Sequence, residues 1–244
     1  MDAFTIQIAG LAVGVQPLFI STREYFRAYL SEREPEILIE VTESDLVYEQ
    51  QMLDREALEE GLKFRQFTGP FLERAAIQRK VAVALLDKDT LLVHGSTVSV
   101  DGCAYLFAAP CGTGKSTHTR LWREAFGSRA VMVNDDKPFL TISSSGVTAH
   151  GSPWSGKHGL DTNISVPLRG ICLLRRGSDN RISQVTAEDC YDELLHYCLV
   201  PENDTLREKA DTLVKELVHS IPLWRLECNK APQAALVSYQ AMHG

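Results

Sequence analysis

Apolar and polar residues alternate in Phe4-Thr-Ile-Gln-Ile8, and a second short apolar run, Leu11-Ala-Val13, follows Gly10. Period-two alternation turns one face of a segment towards a core, so these runs predict a strand pair. Ser21 or Thr22 is placed to cap a short helix through Leu30. After Pro35, Ile37-Leu-Ile-Glu-Val41 predicts another strand, and Thr42 opens a polar, mostly helical or loop segment to Gly61. From Pro70 the period changes: Phe71, Leu72, Ala75, Ala76, Val81, Val83 and Leu86 recur at helical spacing and predict a buried helix over about 70–88.

Strands are then predicted at Leu91–His94, Thr97–Val100 and Ala104–Ala108, with Asp101-Gly102 as a hairpin turn between the last two. A helix is expected from Lys115 to Phe126, and a strand at Ala130–Val133. Shorter strands follow Gly146, and Pro167–Leu174 reads as a buried strand. Residues 187–199 and 203–219 predict helices, Leu223–Leu226 a last strand, and the chain closes on a helix from about Pro232. Strands and helices mix throughout, and the hairpin requires antiparallel pairs, so the class is α/β with a mixed sheet. The expected organisation is a small α+β module over 1–65 and a larger domain over 66–244.

Composition narrows this modestly. The formal charge of −7, with Glu24, Glu32, Glu34, Glu36, Glu40, Glu43 and Glu49 crowding the first third, disfavours nucleic acid as a partner. No apolar stretch approaches the roughly 20 residues that span a bilayer, so no membrane role is expected. MDAFTIQIAG has no basic stretch ahead of an apolar one and is read as no secretory signal. The six cysteines form no C-x-x-C pair and no zinc spacing, which suits a reducing cytoplasm. Five read as small apolar residues. Cys111 reads as a space filler, with a reactive thiol as the alternative.

The strongest chemical signal is Ala109-Pro110-Cys111-Gly112-Thr113-Gly114-Lys115-Ser116, followed by Thr117. It has the Walker A spacing with Ala in place of the first Gly. Gly112 and Gly114 allow backbone angles that a Cβ opposes, so the loop can turn its N–H groups inward around phosphate oxygens at a helix N-terminus. Lys115 then reaches the β- and γ-phosphates, and the Ser116 hydroxyl can hold Mg²⁺. Asn134-Asp135-Asp136 closes the next strand. Strands flanking one helix are usually neighbours, so these carboxylates are expected to face the γ-phosphate. One can hold Mg²⁺ and the other can take the proton of an acceptor hydroxyl. His94-Gly95 closes an earlier strand, where the imidazole can tune a carboxylate. In Gly151-Ser-Pro-Trp-Ser-Gly-Lys157, Lys157 can clamp charge on a transferring phosphoryl group, and Trp154 can stack on a base or wall off water. His118, Arg120 and the pair Arg175-Arg176 are weaker candidates, for which surface placement is the commoner explanation of the arginines.

Together, His94-Gly95, the hairpin, Gly-Thr-Gly-Lys-Ser and the early Asp-Asp resemble the HPr kinase/phosphorylase and phosphoenolpyruvate carboxykinase superfamily over roughly residues 90–175. The likeness is nearest to HPr-kinase-like proteins carrying Gly-Thr-Gly-Lys-Ser-Thr-His and Pro-Trp-Ser-Gly-Lys. The resemblance implies a mixed-sheet P-loop domain of that type and an ATP- and Mg²⁺-dependent phosphotransferase of the cytoplasm. It implies Asp135 as base with His94 beside it, Ser116 as metal ligand and Asp136 as the metal-side carboxylate. The acceptor would be a serine of a peptide or protein, or a small hydroxylated metabolite. A homo-oligomer is compatible with it. The competing reading is a nucleotide-gated regulatory protein without phosphotransfer. A carboxykinase-like lyase is disfavoured by length.

Overall fold

A computed structural model describes residues 2–59 and 61–244. The chain divides into two compact units, Met1–Ala84 and Leu85–Gly244. The expected boundary at 65/66 falls inside the first of them.

In the first unit, β1 (Phe4–Ile8) and β2 (Leu11–Gln16) form an antiparallel hairpin with Ile8 opposite Leu11. Ala9 and Gly10 both take positive φ (49° and 81°), the two-residue turn whose twist matches the strands. β3 (Leu30–Ser31) and β4 (Ile37–Glu40) complete a sheet of order β3-β1-β2-β4, in which β4 runs parallel to β2. Phe4, Ile6 and Ile8 are buried, as their alternation requires. The expected cap at Ser21 or Thr22 is corrected: α1 spans Ser21–Tyr25 with Ile20 before it and no side-chain cap. A 3-10 turn, Arg27–Tyr29, follows instead of more α-helix. The Thr22 hydroxyl is spent elsewhere, donating to the buried carboxylate of Glu73, which also accepts from the Leu18 and Phe19 amides. The segment left as helix or loop is α2 (Glu43–Glu59), and the helix expected near 70–88 is α3 (Gly69–Leu85) ending in a 3-10 turn, Leu86–Lys88. Arg79 joins these two helices by reaching Glu49 at 2.6 Å and Asp45 at 3.2 Å, while Lys80 reaches Asp45 at 2.7 Å.

The second unit is a mixed α/β layer structure. Its strands are β5 (Thr90–Leu92), β6 (Ser96–Val100), β7 (Cys103–Ala108), β8 (Ala130–Asn134), β9 (Phe139–Ser143), β10 (Gly146–His150), β11 (Ser165–Arg176), β12 (Arg181–Val185) and β13 (Leu223–Cys228). Among the described residues they form a nine-stranded sheet of order β5-β9-β10-β11-β7-β6-β8, with β13 also on β11 and β12 on β13. β11 is parallel to β7 and β13, whereas β6 is antiparallel to β7 and β8. The hairpin at Asp101-Gly102 is present, with φ of 51° and 80° and Val100 opposite Cys103.

β7 shows why this sheet is covered on both faces. Ala104, Leu106 and Ala108 join one core with Leu194 of α5 (Ala187–Tyr197) and with Leu213, Val214 and Leu217 of α6 (Asp204–Ser220). Tyr105 and Phe107, on the other face, join Leu121 and Trp122 of α4 (Lys115–Phe126) and Ala234, Ala235 and Met242 of α7 (Gln233–His243). A strand buried on both faces reads as an unbroken apolar run, which is what Ala104–Ala109 is. α5 and α6 begin with the side chains of Thr186 and Asn203 accepting from Asp189 and Leu206 amides. No helix among the described residues is long and apolar enough to cross a membrane.

One topological expectation is corrected. β8 does not neighbour β7, because β6 lies between them. The tight turn at Asp101-Gly102 commits that edge of β7 to β6, so the chain leaving α4 pairs on the far side of β6.

Candidate functional site

The Gly-rich loop leaves the buried end of β7 and runs into α4. Gly112 and Gly114 have φ of +73° and +128°, and a Cβ at either would meet nothing within 4 Å, so backbone angle rather than space requires glycine here. Thr113 N–H donates to Pro110 O at 3.2 Å, closing the turn. From the end of β11, the Arg176 guanidinium donates to the carbonyls of Gly112 and Thr113. In a trans peptide the C=O and N–H point opposite ways, so holding the Thr113 carbonyl turns the Gly114 N–H away from Arg176.

α4 starts with Gly114 at its N-cap, no side-chain cap and no acidic residue in its first turn. Its leading N–H groups are therefore open to an anion, and the helix dipole favours one. Ala109 is buried, Pro110, Cys111, Gly112 and Ser116 are exposed, and Thr113, Gly114 and Thr117 lie between. Cys111 thus fills no buried space. Lys115 is 8% exposed and donates to Ala109 O at 2.9 Å. Burial pulls its ammonium below the ordinary lysine value, and the nearby carboxylates of Asp136 and Asp135 oppose that pull.

The acidic pair follows β8. Asn134, fully buried, organises it. Its Oδ1 accepts from the amides of Asp136 at 2.7 Å and Lys137 at 2.6 Å. Its Nδ2 donates to Ser152 O at 2.8 Å and Ser152 Oγ at 3.0 Å. The side chain therefore ties the acidic turn to the Gly151–Trp154 segment. Gly151 is required by space: a Cβ there would stand 1.8 Å from Thr162 O.

Asp135 is 4% exposed and accepts a hydrogen bond from Ser96 Oγ at 2.6 Å, while Ser96 Oγ is 2.9 Å from Thr119 Oγ1 on α4. A continuous polar chain thus joins the acidic turn, the start of β6 and the helix that begins at the loop, across the β6 position that separates β7 from β8. Asp136 is a third exposed at its side chain and meets His94 Nε2 at 3.2 Å. Burial raises its carboxyl, but His94, Lys137 and Lys115 outweigh that and hold it below the ordinary aspartate value. The resemblance set His94 beside Asp135; the imidazole instead contacts Asp136. His94 is fixed by its backbone, whose N–H donates to Tyr197 O at 2.7 Å.

Other candidates disperse. Lys157 is exposed and makes no hydrogen bond or ion pair among the described residues, although a Cβ added to Gly156 beside it would stand 3.5 Å from Asp135 O and 3.6 Å from Asp136 Cβ. Trp154 is 7% exposed and packs edge-on to Phe139, so it is a wall and not an open stacking surface. His118 is 2% exposed, with Trp122 and Ser238 at its Nε2, and burial lowers its pKa to about 4. Arg120 pairs with Glu124 on the surface, and Arg175 with Glu193. The sequence reading missed Ser96, Thr119 and the role of Asn134. Ser96 stands two residues after His94, and Thr119 one turn into α4, but nothing in their spacing links them to Asp135.

The residues fit a nucleotide with its divalent cation by their chemistry. The loop offers backbone donors, a buried amine and two glycines at positive φ. Ser116 and Asp136 offer hard oxygens, the donors Mg²⁺ prefers. Among the described residues no group of three His, Cys, Asp or Glu side chains gathers to cage a metal.

No family profile and no characterised protein shows significant sequence similarity to the chain. Among solved structures, the Hpr(Ser) kinase/phosphatase from Coxiella burnetii is similar over 63% of this chain and 99% of its own, at 10% identity and a TM-score of 0.37.

Proposed function

We propose that the Leu85–Gly244 unit is an ATP-dependent kinase that transfers the γ-phosphoryl group to a hydroxyl, of a serine in a peptide or protein or of a small metabolite. The observation that carries this reading is the hydrogen-bonded link Asp135–Ser96–Thr119, which draws a carboxylate pair onto the helix that opens at the Gly-rich loop. In the proposed mechanism the loop from Ala109 to Thr117 and the first turn of α4 bind the phosphates. Lys115 neutralises them, and Asp136 and Asp135 oppose the desolvation of its ammonium. Ser116 and Asp136 would hold Mg²⁺, which supplies charge neutralisation on the phosphate oxygens. Asp135, oriented by Ser96, accepts the acceptor's hydroxyl proton as the attacking oxygen forms its bond to phosphorus and the bond to ADP breaks. Exposed Lys157, which follows Gly156 beside the acidic turn, would clamp charge on the transferring group.

A second assignment within the pair rests on a specific observation. Asp136 is the more exposed carboxylate and the one that His94 contacts, so it is the alternative base. The test is transfer of label from γ-labelled ATP with Mg²⁺ to serine, other hydroxylated metabolites and serine peptides, with Asp135→Asn and Asp136→Asn alongside. The variant that binds nucleotide with Mg²⁺ as wild type does, yet transfers no label, identifies the base. ATP bound with no transfer to any acceptor by wild type would favour the nucleotide-gated regulatory reading.

A further inference from the structure

In the Met1–Ala84 unit, β4 stands at the end of its sheet, paired on one side with β2 and on the other with no strand among the described residues. Glu36 N–H donates to Ala12 O at 2.8 Å, so the alternation of a strand turns the N–H and C=O of Ile37 and Ile39 away from β2. Among the described residues those groups have no backbone partner outside the sheet. The strand holds no proline, lysine or bulge that would guard such an edge. On the face away from the core, Leu38 is 78% exposed and lies over Gly14 of β2, where a Cβ would stand 2.7 Å from Leu38 Cδ2 and 3.0 Å from Pro35 Cβ. A groove of about 730 Å³ opens here, with Phe4, Thr5, Gly14, Pro35, Leu38 and Glu40 in its walls. Both ends of β4 are acidic. Exposed Glu34 and Glu36 precede it, and exposed Glu40 and Glu43 close and follow it. Arg33 meets Glu36 at 2.8 Å, but Glu34, Glu40 and Glu43 form no ion pair among the described residues. Lys80, which reaches Glu40 O at 2.7 Å, is already paired with Asp45.

We infer that the open edge of β4 docks a basic peptide in extended conformation, which joins the sheet as an added strand. The inference goes beyond the kinase reading and does not rest on it, because it concerns the other unit. The outward groups of Ile37 and Ile39 supply main-chain hydrogen bonds, which give affinity to any extended chain. Selection comes from the side chains: an apolar residue of the peptide covers Leu38, and lysine or arginine on either side of it meets the carboxylates at the two ends of β4. A second copy of this chain is a poorer occupant. An antiparallel pairing of two β4 strands centred on Leu38 sets Glu36 of each copy opposite Glu40 of the other, and like charges directly opposite are destabilising. The same carboxylates repel an acidic peptide.

The test is fluorescence anisotropy of the full chain with a fluorescein-labelled octapeptide of alternating valine and lysine. Its valine–glutamate counterpart and two N-methylated forms, methylated on all valines or on all lysines, are run beside it. The valine–lysine peptide should bind, and the glutamate peptide should bind at least about tenfold more weakly. Only one edge of an added strand faces β4, so one N-methylated form should keep its affinity while the other loses about tenfold. Equal affinity of the two methylated forms, equal affinity of the glutamate peptide, or no binding of the valine–lysine peptide would each overturn the inference. A chain that sediments as a dimer and takes up no peptide would overturn it in favour of a second copy. Ile37→Pro removes an outward N–H at the first residue of the strand, where proline is tolerated, and Leu38→Ser removes the exposed apolar contact. Each should weaken the valine–lysine peptide by about tenfold with ATP binding unchanged, and wild-type peptide affinity in the folded Leu38→Ser chain would count against the site. Peptide bound without any binding of ATP would leave this inference standing and remove the kinase reading.

Discussion

Replacing Asn134 with Ala removes a side chain that makes four hydrogen bonds of 2.6–3.0 Å from a fully buried position. Two backbone amides, those of Asp136 and Lys137, would lose their acceptor, and the carbonyl and hydroxyl of Ser152 would lose a donor. An unsatisfied buried polar group costs about 1–3 kcal/mol, and Ser152 Oγ keeps a partner of its own in Lys137 O. Taking the low end for each amide, with a smaller loss at Ser152, gives about 2–3 kcal/mol. The assay is urea unfolding followed by tryptophan fluorescence. All three tryptophans, Trp122, Trp154 and Trp224, lie in the Leu85–Gly244 unit, so the signal belongs to it. With an m-value of about 2 kcal/mol/M, the midpoint should fall by about 1–1.5 M. Asn134→Asp retains the acceptor for both amides; its carboxylate repels the Ser152 carbonyl, whereas the protonated carboxyl can donate to it, so at acid pH the variant should lie between wild type and Asn134→Ala. A loss below about 1 kcal/mol for Asn134→Ala would refute the reasoning, because it would mean that water enters and satisfies the orphaned amides.

Arg176→Ala should weaken nucleotide binding by about tenfold, measured by calorimetry, with little change in unfolding midpoint, because the exposed guanidinium holds the loop's carbonyls and no core; an unchanged Kd would contradict this. His118 and His150 are both buried with pKa values lowered to about 4 from an ordinary 6.5. The unfolded chain binds protons that the folded one refuses, so stability is fully present above about pH 6.5 and falls as pH drops towards about 4. His118→Gln with His150→Gln should flatten that slope in denaturation measured across the window. Glu73→Ala in the first unit leaves the Leu18 and Phe19 amides and the Thr22 hydroxyl without their common acceptor, and the Leu18 and Phe19 amides should exchange with deuterium at least about tenfold faster.

The sequence by itself determined the elements whose cause is local. Asp101-Gly102 can be a two-residue hairpin turn because both positions tolerate positive φ, and the helix Lys115–Phe126 begins where the glycines of the loop end. The α/β class and most strands followed from period and from Gly, Pro and Asp punctuation. The loop's backbone shape was legible because positive φ at Gly112 and Gly114 is what spaced glycines allow. Tertiary structure alone decided what depends on which strand lies beside which. Insertion of β6 between β7 and β8 makes Ser96 and Thr119 the link to Asp135, and sends His94 to Asp136. Trp154 and His118 looked like ligand-facing residues in one dimension, yet the core claimed both. Thr22 gave its hydroxyl to Glu73, 51 residues away, and not to a helix end. Arg176 reaches the loop only when the end of β11 meets it, over a separation of more than 50 residues. Turn and helix signals are carried by neighbours along the chain, but the partners of a polar side chain are fixed by sheet order, which no local spacing encodes.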